Sequence, residues 1–270
     1  MVVKEERLGI GLAALIPLLG LILVLVVALA VAGLLLAQRR LPLELRKSHN
    51  AAISVIYGTL QVMFGVLIGF TAFLVVQKYI TAQNAATSGA GDMVEIYRLA
   101  DAFPQTQRDR IQELAKSYAQ DVVDEEWPLM RNGQSSPRAE ELFDELGRSI
   151  QDVEPTTDSE REVYAQELSR LHDLNQNRDL RLLAVYTGLP LVLWIVLGVL
   201  AVLIILFTYF LGMENAMLHR WAVGALTVGI AFVICAIVLL DHPFGGGYRI
   251  GPDAYERALS KMEGTSELGP

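Results

Sequence analysis

The chain has 270 residues, 53% of them hydrophobic, and a mean hydropathy of +0.38. A formal net charge of −8 with no basic patch excludes a nucleic-acid binder, and a single cysteine, Cys235, excludes an intrachain disulfide. Charge is segregated: 12 Lys/Arg stand against 21 Asp/Glu from Lys78 to Arg181, net −9, and the rest of the chain sums to +1.

Leu8 to Ala37 is an apolar run preceded by Lys4 and Arg7 and closed by Arg39-Arg40. A signal peptide has an apolar region of only about 7–15 residues. This run continues past the candidate cleavage site Ala28-Leu29-Ala30 to a basic stop-transfer pair. It reads as a retained first span, about residues 8–37, with Pro17 as a kink point and Pro42 in the link to the next span.

The second span covers about residues 51–78, with no charge before Lys78. Ala51 to Val76 as helix extends about 39 Å, against a bilayer core of about 30 Å. Ser54, Gly58, Gln61, Gly65, Gly69 and Ala72 follow at spacings of 4, 3, 4, 4 and 3, one narrow stripe of small and polar side chains. Gly65 to Gly69 is a G-x-x-x-G, which admits a neighbouring backbone in lipid. The stripe is a candidate pore lining or helix-packing face.

Residues 80–181 read as an acidic helical domain. Small residues from Ala82 to Gly91 lead into Met93, Val94, Tyr97 and Leu99. Ile111, Leu114, Tyr118 and Val122 mark a helix stopped near Pro128, and Leu142, Phe143, Leu146 and Ile150 another. Thr157-Asp158-Ser159-Glu160 fits a capping box opening the last helix, which has the option of running on into the third span. Asp121, Asp124, Glu125 and Glu126 lack the spacing of a calcium loop and read as a solvated face.

The second membrane hairpin occupies 182–240, with spans at about 184–210 and 221–240. Phe207, Tyr209 and Phe210 ending one span and Trp221 opening the next form an interfacial belt. Residues 241–270 read as a Gly-rich motif and a tail, briefly amphipathic around Tyr255 and Leu259.

The fold class expected is thus an all-α membrane protein: two hairpins, 1–79 and 182–240, with the acidic domain inserted between spans two and three. The short loops carry Arg39, Arg40, Arg46, Lys47 and Arg220, and the tails carry Lys4, Arg7, Arg249, Arg257 and Lys261. The basic density of the first hairpin favours a cytoplasmic first loop, with the domain and both termini external to an inner membrane.

Four motifs stand out: His49-Asn50, Tyr97-Arg98, Glu126-Trp127 and Asp241-His242-Pro243-Phe244-Gly245-Gly246-Gly247. Their order resembles a bacterial membrane family catalogued as bestrophin-like, over nearly the whole chain. The resemblance implies a channel-like layout. True bestrophins are pentameric anion channels, but their calcium-clasp run of acids after the last span has no match, since Asp241 stands alone. Bestrophins also keep the equivalent insert in the cytosol, opposite to the charge-based orientation.

Asp241 to Gly247 is a candidate ligand or gating motif, because glycines let backbone amides converge on an anion. The structural reading pairs Asp241 with Arg249 and uses Pro243 and the glycines to turn the chain. His49-Asn50 is a candidate pH-sensitive gate or an ordinary polar helix start. His49, His172, His219 and His242 have no metal-ligand spacing, and no catalytic triad, phosphate loop or redox cysteine pair occurs, so no enzyme, cofactor or metal is expected.

None of the spans holds an acidic or basic residue in its interior, which argues against ion-coupled pumps and proton relays. Two readings remain. One is a homo-oligomeric passive ion channel, cation-favouring because the acidic domain focuses a negative field at its mouth. The other is a membrane-anchored sensor or scaffold whose domain binds a partner protein.

Overall fold

In the computed structural model the backbone is described for residues 3–245 and 249–267, and side chains for 20–245 and 249–264. Among the described residues ten α-helices follow in chain order: α1 (Val3–Arg40), α2 (Leu43–Ser48), α3 (Asn50–Leu99), α4 (Gln105–Asp121), α5 (Trp127–Met130), α6 (Pro137–Gln151), α7 (Asp158–Tyr186), α8 (Leu191–Phe210), α9 (Ala216–Asp241) and α10 (Asp253–Glu267). A 3-10 turn, Ala100–Ala102, follows α3, and a π-helical segment, Val122–Glu126, joins α4 to α5. No strand occurs among the described residues.

The chain divides into two units, one of Met1–Val76 and Leu189–Asp241, the other of Gln77–Gly188 and His242–Pro270. The first contains the apolar helices. Among the described residues four helices are long and apolar enough to cross a membrane: the described part of α1 (Gly20–Arg40), α3, α8 and α9. Their outer faces leave Val24, Leu29, Val62, Val66, Leu191 and Phe232 exposed, the surface that hydrocarbon covers. Buried Thr71 and Thr227 return their hydroxyls to the carbonyls of Leu67 and Val223, so neither polar group is stranded.

Among the described residues the main packing partners of α1 are α9 and α8. Ala30 and Leu34 meet Tyr209 and Val223 there. Tyr209 does not join an interfacial belt. Its ring lies against Gly33, where a Cβ would stand 2.8 Å from the hydroxyl, and it donates to the Ala30 carbonyl at 2.8 Å. Inside an apolar bundle a tyrosine hydroxyl needs such an acceptor. Phe64 of α3 packs with Leu197, Ala201 and Ile204 of α8.

The third span begins later than 182–184. α7 ends at Tyr186, where the Thr187 hydroxyl bonds the Leu183 carbonyl, and α8 starts after Pro190. Proline disfavours helical backbone in the residue before it, which breaks the run here. The fourth helix, conversely, starts at Ala216, a turn before Trp221, with Asn215 accepting from the Met217 and Leu218 amides.

In the second unit the small-residue stretch after Tyr79 is no break. α3 continues through it, with Ala82, Ala85, Ala86, Gly89, Ala90 and Met93 buried at helical spacing. Thr157 and Glu160 form the capping box of α7, and Ser136 caps α6 by accepting from the Ala139 amide. The segment beyond Asp241 is not a loose tail. α10 packs on α4 and buries Tyr255, Ala258 and Met262.

Candidate functional site

Ser54, Gln61, Gly65 and Gly69 are exposed on α3, and Gly58 and Ala72 half-buried. A Cβ added at Gly58, Gly65 or Gly69 would meet nothing within 4 Å. Among the described residues, no other helix fills the stripe at these three glycines. Gln61 forms no hydrogen bond among the described residues, although it lies mid-way along an apolar helix.

The His49-Asn50 motif stands where α2 turns into α3. Asn50 exchanges two hydrogen bonds with Gly212: its Nδ2 donates to the carbonyl at 3.1 Å and its Oδ1 accepts from the amide at 2.8 Å. Gly212 lies so close that a Cβ there would come within 2.6 Å of the Lys47 nitrogen. Arg46 donates to the Leu211 carbonyl at 3.4 Å, and Lys47 meets Glu214 at 2.8 Å. Asn50 thus clasps the α2–α3 corner to the α8–α9 loop. His49 is exposed, with Nδ1 near the Ser48 hydroxyl and the Leu45 carbonyl.

Asp241, 2% exposed, accepts the Leu189 amide on both carboxylate oxygens at 3.1 Å, joining the end of α9 to the start of α8. The rest of the motif belongs to the second unit. The His242 carbonyl accepts from the Gly245 amide, and the Pro243 carbonyl from the Ile250 amide. Phe244 packs edge-on against Trp127, with centroids 5.7 Å apart. Gly245 lies against the Arg131 carbonyl, 2.9 Å from where a Cβ would stand. Gly246 and Gly247 fall outside the described residues. The described bonds of Asp241 run to Leu189, and no bond between Asp241 and Arg249 is among them.

The feature that sequence reasoning missed lies under Trp127. Glu126, expected on a solvated acidic face, is fully buried by the π-helical segment. It pairs with Arg181, also fully buried, and with Arg178 at 3.5 Å. The Arg181 guanidinium lies 5.2 Å from the Trp127 ring and 5.1 Å from the Tyr255 ring. Tyr118 completes the group, and burial pushes the hydroxyls of Tyr118 and Tyr255 up from their ordinary range. The available signal was the i, i+3 placement of Arg178 and Arg181 in register with apolar Leu171 and Leu174.

Asp124 accepts from Gln120 and Asp121 from Ser136, and no group of metal-ligating side chains occurs among the described residues. Separately, Glu167 of α7 is buried with both carboxylate oxygens unpartnered, and desolvation pushes it up to about 8.

A family model describing a Bestrophin-like domain matches residues 24–255. No curated protein sequence matches the chain. Among solved structures, a bacterial Bestrophin homolog from Klebsiella pneumoniae is similar at 11% identity and a TM-score of 0.68, over 92% of this chain and 99% of that one. A point mutant of the Klebsiella pneumoniae homolog gives 13% identity and a TM-score of 0.68, over 90% and 99% of the two chains. A mutant described as a membrane protein gives 14% identity and a TM-score of 0.69, over 90% and 98%. At these identities the likeness is one of fold.

Proposed function

The chain belongs to the Bestrophin-like family, and from that premise we propose that it is one subunit of a homo-oligomeric passive ion channel in the cell membrane. The observation that carries the reading is the unfilled stripe of α3. A glutamine facing lipid at mid-span leaves its amide unpaired at a cost of several kcal/mol. Water in a central path, or the same helix of a neighbouring copy, removes that cost. Three open glycines beside Gln61 suit either arrangement.

In this reading Ser54, Gly58, Gln61, Gly65, Gly69 and Ala72 surround the path, one set from each subunit. Uncharged spans suit passive conduction. The helical domain, net −9 between Lys78 and Arg181, favours cations by raising their local concentration at the mouth. The spans form two sequence hairpins flanking this domain. Basic residues Arg39, Arg40, Arg46 and Lys47 favour a cytoplasmic first loop and an external domain in an inner membrane. Alkaline phosphatase activity from a C-terminal fusion supports that orientation, and fluorescence from a cytosol-dependent reporter reverses it.

Imaging the purified oligomer in lipid nanodiscs tests the channel. The expected result is a ring of subunits with α3 around the axis. A monomer or dimer without such an axis contradicts it and turns the reading to a membrane scaffold.

A further inference from the structure

One end of the membrane unit gathers positive charge that its own residues leave uncompensated. α1 closes on Arg39-Arg40, and its packing through Ala30 and Leu34 against Tyr209 and Val223 brings the end of α8 and the start of α9 to that same end. The Asn50–Gly212 clasp adds α2 to them. Residues 39–49 and 211–220 hold five basic side chains, Arg39, Arg40, Arg46, Lys47 and Arg220, against Glu44 and Glu214, net +3. Glu214 is taken by Lys47, and none of the four arginines has a carboxylate partner among the described residues. Arg46 is the extreme case. It is 7% exposed, its Nε is buried without a hydrogen-bond partner, and the Leu211 carbonyl it meets at 3.4 Å brings no counter-charge. Close enough to interact with it electrostatically, His219 is also buried, with Nε2 on the Thr208 carbonyl at 2.9 Å and Nδ1 unpartnered. A buried guanidinium without a counter-charge is costly.

We propose that this corner of the membrane unit binds the phosphate of an anionic phospholipid. Lys47, its side chain 34% exposed, and exposed Arg220 supply the charges that a headgroup reaches. Arg46 stands behind them as a fixed charge, held in place by its burial. Basic side chains clustered at the end of a membrane helix are drawn to anionic lipid, and a phosphate oxygen is an acceptor for both guanidinium and ammonium groups. The apolar surroundings match a lipid better than a soluble phosphate ester. Leu218 and Trp221 are 56% and 68% exposed and lie three residues apart on α9, one face for an acyl chain. Leu45 of α2 is exposed beside Arg46 in sequence. An indole at the head of a span is also an interfacial anchor, which sets this corner at headgroup level.

The test does not depend on conduction. Full-length protein in a neutral detergent is titrated with phosphatidylglycerol, phosphatidylcholine or glycerol phosphate while its unfolding midpoint is followed. The midpoint rises saturably with phosphatidylglycerol alone. In Lys47→Gln/Arg220→Gln, a double change of exposed side chains, the half-saturating concentration rises roughly thirtyfold. Glu214→Gln, which releases Lys47 from its ion pair, lowers it. Arg98→Gln/Arg257→Gln, an equal loss of charge in the helical unit, leaves it unchanged. In native mass spectrometry the protein retains phosphatidylglycerol in preference to phosphatidylcholine. Equal midpoints in the two lipids, an equal rise with glycerol phosphate, or an equal loss of response in both double variants overturns the proposal.

Discussion

Trp127 donates its indole N–H to the carbonyl oxygen of Ile250 at 3.1 Å. Its ring is flanked by Phe244 and Tyr255, each with its centroid 5.7 Å away. One side chain therefore fastens the segment after the last membrane helix to the core of the helical unit. A stretch that begins as a Gly-rich motif ends as a strap, and α10 becomes part of the core rather than an appendage.

Trp127→Phe keeps an aromatic ring but removes the donor, leaving a buried carbonyl unpaired. We expect a loss of about 1–3 kcal/mol, read as a lower thermal midpoint of the helical unit. Limited proteolysis then cuts within the strap first. An unchanged midpoint would mean that the strap contributes nothing to that core.

Asn50 holds the Gly212 backbone by two hydrogen bonds. Asn50→Ala should cost the membrane unit about 1–3 kcal/mol, measured by thermal shift in detergent. Gly212→Ala forces a methyl group against the Lys47 backbone and should be at least as damaging. Because both changes break one clasp, the double variant should fall well short of the sum.

Glu167 yields a pH signature. Its folded-state value is raised to about 8, from an ordinary 4.5. A raised carboxyl is protonated in the folded chain while the unfolded chain has already released its proton. Stability from this group is therefore full below about 4.5 and falls as pH rises through about 8. The total loss is at most about 5 kcal/mol, at 1.36 kcal/mol per unit. Glu167→Gln should flatten that fall, so that at pH 8 the variant is the more stable protein. A thermal midpoint series from pH 5 to 9 on both proteins decides it, and parallel curves would contradict the assignment.

Gly65→Leu and Gly69→Leu place a Cβ where no described atom lies within 4 Å. They should leave the protomer as stable as before, since helix propensity improves. If the stripe lies between subunits or along a path, the same changes disrupt assembly or block flux. Native mass spectrometry and conductance separate those two outcomes.

Much of the fold was legible because hydrophobic runs and caps report local structure. The four apolar helices and the Thr157–Glu160 capping box lie where composition or stereochemistry demands them, whereas the break before Leu191 was not read from the sequence. Three further features were not legible. Ala82 to Gly91 resembles a linker by composition, yet small residues are what lets α3 pack closely with its neighbours. Among the described residues α10 has only Tyr255, Ala258 and Met262 on its buried face, a weak periodic signal that tertiary packing makes decisive. Glu126 stands within a run of acids, and only the π-helical turn, invisible in the pattern, selects it for burial. At the candidate site the stripe was readable from spacing, whereas the open space at its three glycines among the described residues required coordinates.

Ion flux into liposomes holding the purified oligomer, under potassium, sodium and chloride gradients, tests the central claim most directly. The account predicts cation-preferring flux that Gln61→Leu alters without unfolding the protein. No flux at any pH, calcium level or voltage would contradict it.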